Sequence, residues 1–312
     1  MRRDLIHQEM HLAWHETDQL PDQEIPSGTI VVGIDGSDGS VSALSWALGE
    51  AARRQNQVDA VLGWTDAYSL AGPTPLSVLS KGQRNRLRGR VDTAVRRAEE
   101  QQPAGATVAV HTHIFSGRPA ELLVRLSSRA AMVVVGSHGY GSLKATILGS
   151  VSRECVQAAT GPVVVIRGSH RPLEPGAGFR RILVGVDGSN FGRAALLWAI
   201  DEARATGDHL EAVHIWGPPG PGVMTPGAAS EEEKVAVSTL AAATRILHRS
   251  GCTFTAHLEF GSPGDALCAR SKTVDLVAIG SRGLGGLTGM LLGSVSQQCL
   301  THSDCPVAVI RN

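Results

Sequence analysis

One pattern constrains this chain more than any other. Gly136-Ser137-His138-Gly139, nine residues from Tyr140 to Leu148, then Gly149-Ser150 recurs as Gly280-Ser281-Arg282-Gly283, nine residues from Leu284 to Leu292, then Gly293-Ser294. Each copy follows a short, mostly apolar run, Met132 to Val135 or Val274 to Ile279, and precedes a segment of helical character. A strand that ends in a glycine-rich loop and leads into a helix aims the free N–H groups of the helix start back at the loop, an arrangement that holds phosphate. One such loop is weak evidence, because glycine-rich turns after strands are common. Two with the same internal spacing point to a duplicated unit with one purpose.

The duplication extends to the rest of the chain. Ile30-Val31-Val32-Gly33-Ile34-Asp35-Gly36-Ser37 matches Ile182-Leu183-Val184-Gly185-Val186-Asp187-Gly188-Ser189, a short buried strand closed by Asp-Gly-Ser. The helices that follow share Trp46 and Trp198, and the second strands end at Trp64 and Trp216. Aromatics that recur on amphipathic elements are core as a rule, so these four are expected to pack rather than to do chemistry. Variable loops follow, Asp66 to Ser80 and Gly217 to Ala229, then long helices around Arg84 to Glu100 and Glu231 to Ser250. Because insertions collect in surface loops, the offset of 152 residues between the Asp-Gly-Ser motifs shrinks to 144 between the glycine loops. Third strands near Thr107 to Phe115 and Thr253 to Phe260 lead through Gly117-Arg118-Pro119 or Gly261-Ser262-Pro263 into a short helix and the fourth strand. Each copy closes with a helix and a last strand opened by proline, Pro162 to Arg167 and Pro306 to Arg311.

Strands alternating with helices at this spacing form a parallel sheet with right-handed crossovers. The expected fold is therefore α/β: two tandem doubly wound, Rossmann-like domains, each a five-stranded parallel sheet of order 3-2-1-4-5. The boundaries read as a polar extension over residues 1–28, a first domain over 29–167, a linker over 168–179 rich in glycine and proline, and a second domain over 180–312. Val163 to Ile166 and Val307 to Ile310 would be edge strands, and apolar edges invite pairing, so they are expected to pair with each other. Residues 1 to 27, polar and mixed in charge, are expected to lie outside the packed core.

Composition excludes several function classes. Lysine plus arginine equals aspartate plus glutamate at 29 each over 312 residues, so no net field favours nucleic acid or an anionic membrane. No apolar run approaches the roughly 20 residues of a membrane span, and a cytoplasmic location is expected. The five cysteines form no CxxC pair and read as reduced, mostly buried thiols. His7, His11 and His15 would share a face if helical, and Cys299, His302 and Cys305 are spaced three apart, yet neither set has an evident fourth ligand on one rigid frame. No metal site built from protein side chains is expected.

In a doubly wound sheet a ligand lies beyond the carboxyl ends of the strands, where the strand order reverses. For order 3-2-1-4-5 that point brings Asp35 to the Gly136 loop and Asp187 to the Gly280 loop. A carboxylate beside a phosphate cradle suits a nucleotide, the acid accepting from ribose hydroxyls while backbone N–H groups and Ser150 or Ser294 take phosphate. Ser294 and Gln297 also fit a capping box. There is no G-x-x-x-x-G-K-[ST], and Gly283-Leu284-Gly285 lacks a third glycine at position 288, which is threonine. Neither glycine loop contains an Asp or Glu to activate water or hold a metal. His138 could act as a base, but its counterpart Arg282 cannot, and neutralising phosphate accounts for the pair better.

These residues resemble the universal stress proteins, which carry G-x2-G-x9-G-[ST] after strand four and an Asp after strand one; the chain looks like a tandem form. The Gly-Ser-Val-Ser after each loop (Gly149 to Ser152, Gly293 to Ser296) and the terminal Pro-Val strands strengthen the likeness, while Ala145-Thr146-Ile147-Leu148 departs from the Gly-Met-Leu-Leu that copy two keeps at Gly289 to Leu292. The resemblance implies one ATP site per domain, with or without Mg. The first set is Gly33, Asp35, Gly63, Gly136, Ser137, His138, Gly139, Gly149, Ser150, Val151 and Ser152. The second is Gly185, Asp187, Ile215, Gly280, Ser281, Arg282, Gly283, Gly293, Ser294, Val295 and Ser296. Asp35 and Asp187 fall near the adenosine, and Gly63 and Ile215 beside adenine. The function expected is a cytoplasmic ATP-binding sensor or regulator of the stress response, not an enzyme, acting by occupancy on a protein partner; a homodimer is compatible with the pattern. The alternatives are a slow ATP-hydrolysing enzyme and a scaffold with constitutively bound nucleotide.

Overall fold

The computed structural model describes residues 13–17, 25–65, 75–102, 108–139, 148–167, 180–217, 228–284 and 291–311. In chain order the elements are β1 (Ala13–Thr17), β2 (Ile30–Gly33), α1 (Asp38–Arg54), β3 (Val58–Trp64), α2 (Lys81–Glu99), β4 (Val110–Ser116), α3 (Pro119–Leu126), β5 (Met132–Gly136), α4 (Ser150–Ala158) and β6 (Val163–Ile166). The second half repeats the order with β7 (Arg181–Gly185), α5 (Asn190–Thr206), β8 (His209–Trp216), α6 (Ala228–Ser250), β9 (Phe254–Phe260), α7 (Pro263–Arg270), β10 (Leu276–Gly280), α8 (Ser294–His302) and β11 (Val307–Ile310). All strands join one sheet, β1-β4-β3-β2-β5-β6-β11-β10-β7-β8-β9. Each domain thus contributes the order 3-2-1-4-5, and every pairing is parallel except β6 with β11. That antiparallel junction, Val165 opposite Val307 and Val163 opposite Val309, is the pairing expected of the two apolar edges.

The central strands β2, β5, β6, β10 and β11 are apolar without alternation because both faces of the sheet are covered there. Successive residues serve opposite layers: Ile30, Val32 and Val134 pack with α1, α2, α5 and α6, whereas Val31, Val133 and Val135 pack with α3, α4, α7 and α8. Local chemistry sets the helix ends. Ser37 and Ser189 cap α1 and α5 by accepting from the amides of Ser40 and Gly192, each after a glycine with positive φ, Gly36 at 82° and Gly188 at 81°. Ser80 and Gln83 form a reciprocal capping box on α2, and Pro119 and Pro263 open α3 and α7.

Two expectations are corrected. The capping box at Ser294 does not form: Gly293 is the N-cap, its carbonyl accepts from the Gln297 amide at 2.9 Å, and Ser294 is already helical. The extension before the first domain is not wholly outside the sheet, for Ala13–Thr17 lies parallel to β4 with His15 opposite His113. This places His15 on a strand, where the four-residue spacing of the histidines no longer defines a face; His7 and His11 lie outside the described residues.

The domains are also held by charge. Glu50 on α1 and Glu202 on α5, equivalent positions of the repeat, meet as a hydrogen-bonded carboxyl pair with fully buried side chains. Arg54 reaches both, Arg180 reaches Glu50, Glu202 and Asp208, and Arg53 reaches Asp208. On the opposite face Arg167 donates to the Leu300 carbonyl at 2.6 Å, and Arg311 to the Gln157 carbonyl, each cation meeting the last turn of the other domain's helix.

Candidate functional site

β2 pairs with β3 on one side and β5 on the other, so the chain leaves in opposite directions at this point and a crevice opens beyond their carboxyl ends. A cavity of about 620 Å³ occupies it. Of the first candidate set, Gly33, Asp35, Gly63, Gly136, His138, Gly139, Gly149, Ser150, Val151 and Ser152 line the cavity, while Ser137 is buried behind it.

Asp35 sits at the centre of the wall. Its Oδ1 accepts from the Ser37 amide at 2.9 Å and hydroxyl at 2.6 Å, which fixes the carboxylate over the turn. Its Oδ2 faces the glycine loop, so closely that a methyl group at Gly139 would stand 2.5 Å away. The second domain repeats this: Asp187 Oδ1 accepts from the Ser189 amide and hydroxyl at 2.9 and 2.6 Å, its Oδ2 from the Leu284 amide at 3.3 Å, and a methyl at Gly283 would stand 2.7 Å from that oxygen. Any side chain at the fourth loop position would therefore have to displace the carboxylate that faces it. At the first position the demand comes from α1 or α5, because a Cβ at Gly136 or Gly280 would meet the backbone of Gly39 or Phe191 at 2.6 Å.

The loops are braced from behind. Ser137 and Ser281 donate their amides to Ile166 and Ile310 at 2.8 and 2.7 Å, and their carbonyls accept from Gly149 and Gly293 at 2.8 Å. Ser152 and Ser296 donate their hydroxyls to Gly136 and Gly280 at 2.6 and 2.7 Å. These two serines tie helix to loop. No side chain caps α4 or α8, so the dipole-positive starts at Ser150 and Ser294 face the cradle with no side-chain oxygen on them. Val151 and Val295 are partly buried against the core.

The two sites differ in their side chains. In the first, His138 Nδ1 is 2.9 Å from Ser137 Oγ, while the buried Nε2 has no partner among the described residues. In the second, the Arg282 guanidinium lies 4.5 Å from the centre of the Phe191 ring, a cation–π contact impossible in the first domain, where Gly39 replaces the phenylalanine. Gly63 is forced by the neighbouring helix, since a Cβ there would come within 2.7 Å of Pro119 Cα; its counterpart Ile215 is buried. Beside Ile215, His214 Nδ1 meets the Val186 carbonyl at 2.7 Å. Of the four tryptophans, Trp46 is core as expected, but Trp64 both packs on the core and lines the cavity.

Sequence reasoning missed Ser40, Thr65 and, above all, Arg90 of α2, which lines the cavity and donates to the Asp35 carbonyl. Arg90 stands in a run with Arg84, Arg86 and Arg88, so nothing in the sequence singled it out. Among the described residues no group of three His, Cys, Asp or Glu converges on a metal position: Cys299 and Cys305 are buried, and His302 is exposed at the end of α8. Burial pushes the Cys305 thiol up to about 12, and the Cys299 thiol up as well. No described helix is long and apolar enough to cross a membrane.

Fold and crevice define a tandem of doubly wound domains, each with a carboxylate set against a glycine loop and an uncapped helix start. The sequence profile of the Universal stress protein family matches residues 27–167 and 178–311, and the chain belongs to that family. It is 34% identical over 287 residues to a universal stress protein of Mycobacterium tuberculosis, covering 90% of this chain and 96% of that one. Among solved structures, a universal stress protein from Archaeoglobus fulgidus superposes with a TM-score of 0.62 over 92% of this chain and 97% of its own, at 20% identity. A universal stress protein solved in complex with cAMP matches 45% of this chain and 97% of its own, 25% identical, at a TM-score of 0.33.

Proposed function

We propose that each domain of this chain binds one adenine nucleotide, ATP, and that occupancy rather than turnover is the signal, read by a protein partner in the cytoplasm. The observation that carries the reading is the crevice at the β2/β5 switch point. Its volume of about 620 Å³ falls within the roughly 300–1,000 Å³ of small-molecule sites. It is bounded by a fixed carboxylate on one side and by a glycine cradle with an uncapped helix start on the other.

The residues fit the ligand. Asp35 and Asp187 keep one oxygen for their own turn and turn the other to the cradle, where a ribose hydroxyl can donate. Backbone N–H groups at Ser150 and Ser294 take phosphate, and His138 and Arg282 supply loop side chains that neutralise it. The glycine loops carry no Asp or Glu, so neither supplies a base for an in-line water or a ligand for Mg, which would be held by the phosphates alone. Hydrolysis is accordingly slow.

Mass spectrometry of nucleotide released from the purified chain, with calorimetric titration of the stripped chain, tests this: ATP and two sites per chain are expected. Absence of adenine nucleotide binding overturns the reading. Turnover on the order of 1 per second or faster that disappears in the Asp35→Asn, Asp187→Asn double variant moves the protein to the enzymes. Nucleotide that survives exhaustive dialysis makes it a constitutive part of a scaffold.

A further inference from the structure

We propose that Arg90 is a ligand-binding residue of the first site alone and that the two sites draw their arginine from opposite walls; this rests on the nucleotide reading above. Arg90 lies on the exposed side of α2, with the buried row Leu87, Val91, Ala94 and Ala98 turned to the core. Its guanidinium crosses to the end of β2, donates to the Asp35 carbonyl and forms part of the cavity wall together with Leu87. The same residue's carboxylate, Asp35 Oδ2, faces Gly139. A permanent cation is thus placed one residue's length from the carboxylate that marks the site, on the wall facing the glycine loop.

The second domain reverses the arrangement. The core row of α6 is Ala236, Leu240, Ala243 and Leu247, which sets Thr239 at the place of Arg90. The placement is supported independently: Thr239 Cγ2 lies 3.4 Å from a Cβ built on Gly188, against the Asp187 turn as Arg90 lies against the Asp35 turn. The helix wall of site two therefore has a hydroxyl where site one has a guanidinium. Its arginine comes from the loop, Arg282, stacked on Phe191, where site one has His138 and Gly39. Both exchanges are in this chain's own side chains, so each site keeps one arginine. A guanidinium is always charged and donates in a fixed fork suited to phosphate oxygens. Each therefore favours anionic nucleotides over the uncharged nucleoside, at its own site.

The test is calorimetric titration of the full chain with ATP and, separately, adenosine, for wild type, Arg90→Gln and Arg282→Gln. Loss of a charge-assisted contact predicts a fall of about tenfold or more in ATP affinity at one site in Arg90→Gln and at the other in Arg282→Gln, with adenosine affinity changed far less. Equal loss for ATP and adenosine in Arg90→Gln means that Arg90 only shapes the wall, and overturns the proposal. So does an unchanged ATP affinity. If Arg90→Gln does not fold, Thr239→Arg decides: a raised preference for ATP over adenosine at site two is expected, and an unchanged preference overturns the proposal. A wild-type chain that binds neither compound overturns the nucleotide reading and this proposal together. Wild-type binding that both arginine variants leave intact overturns the arginine assignment only.

Discussion

At the scale of single residues, the site is organised by contacts between two short motifs far apart in sequence. Asp-Gly-Ser builds its own turn, cap and carboxylate anchor, and the fourth glycine of the loop lets the carboxylate approach. Replacing Gly139 or Gly283 by valine should therefore abolish one nucleotide site each by pushing Asp35 or Asp187 aside; calorimetry should show one site lost per substitution and none left in the double variant. Changing Ser37 or Ser189 to alanine removes an N-cap and a carboxylate donor at once, and should cost about 1–2 kcal/mol by denaturant unfolding while also weakening the site beside it. The sequence displayed these motifs because they repeat. It could not display Arg90, whose role depends on which of several arginines on α2 reaches the crevice, nor the stacking of Arg282 on Phe191, since the loop and helix residues involved are 91 positions apart. Trp64 packs on the core as a recurrent aromatic is expected to, but its strand ends at the crevice, where the same side chain also lines the cavity.

At the scale of elements, strand order was legible because both halves give the same alternation and right-handed crossovers leave few topologies. What escaped was β1. Five residues in a polar segment carry too little periodicity to announce a strand, and its place is decided by an unpaired edge elsewhere in the chain. Its effect shows in the contrast between equivalent positions: Thr112, His113 and Ile114 of β4 are buried, whereas their counterparts in β9 are more open, Ala256 exposed and His257 and Leu258 half-buried. Among the described residues β9 pairs only with β8. Removing residues 1–24 should open β4 in the same way. Hydrogen exchange is then expected to speed up at the outward-facing amides of β4 until they resemble those of β9, with β2 and β5 unchanged.

At the scale of the whole molecule, the junction combines the β6–β11 pairing with a charged cluster that the repeat itself brings together. Glu50 and Glu202 are equivalent residues, so folding about an approximate two-fold axis sets carboxyl against carboxyl. Two buried carboxylates in hydrogen-bond contact cannot both be ionised without severe repulsion, and one proton is shared. Burial pushes Glu202 up to about 8, aided by the charge and hydrogen bond of Glu50 and opposed by Arg54. Glu50 is held down to about 2, against the cost of its own burial, by Arg180, the bond from Glu202, Arg54 and Arg53; Asp208 completes the set by binding Arg180 and Arg53. The signs follow. The raised Glu202 contributes stability fully present below its unfolded value near 4.5, and that contribution is lost as pH rises towards about 8. The lowered Glu50 contributes stability present above about 4.5 and lost as pH falls towards 2. Of the pair, only the Glu202 contribution changes above about 4.5, so thermal unfolding followed from pH 5 to 9 should show a midpoint that declines with rising pH more steeply than in a chain lacking the Glu202 carboxyl. Glu202→Gln keeps a donor for Glu50 but cannot ionise, and should flatten that decline and leave the variant more stable than wild type at the alkaline end. A pH dependence of the midpoint that is the same in wild type and Glu202→Gln would show that the carboxyl pair does not hold its proton at the junction.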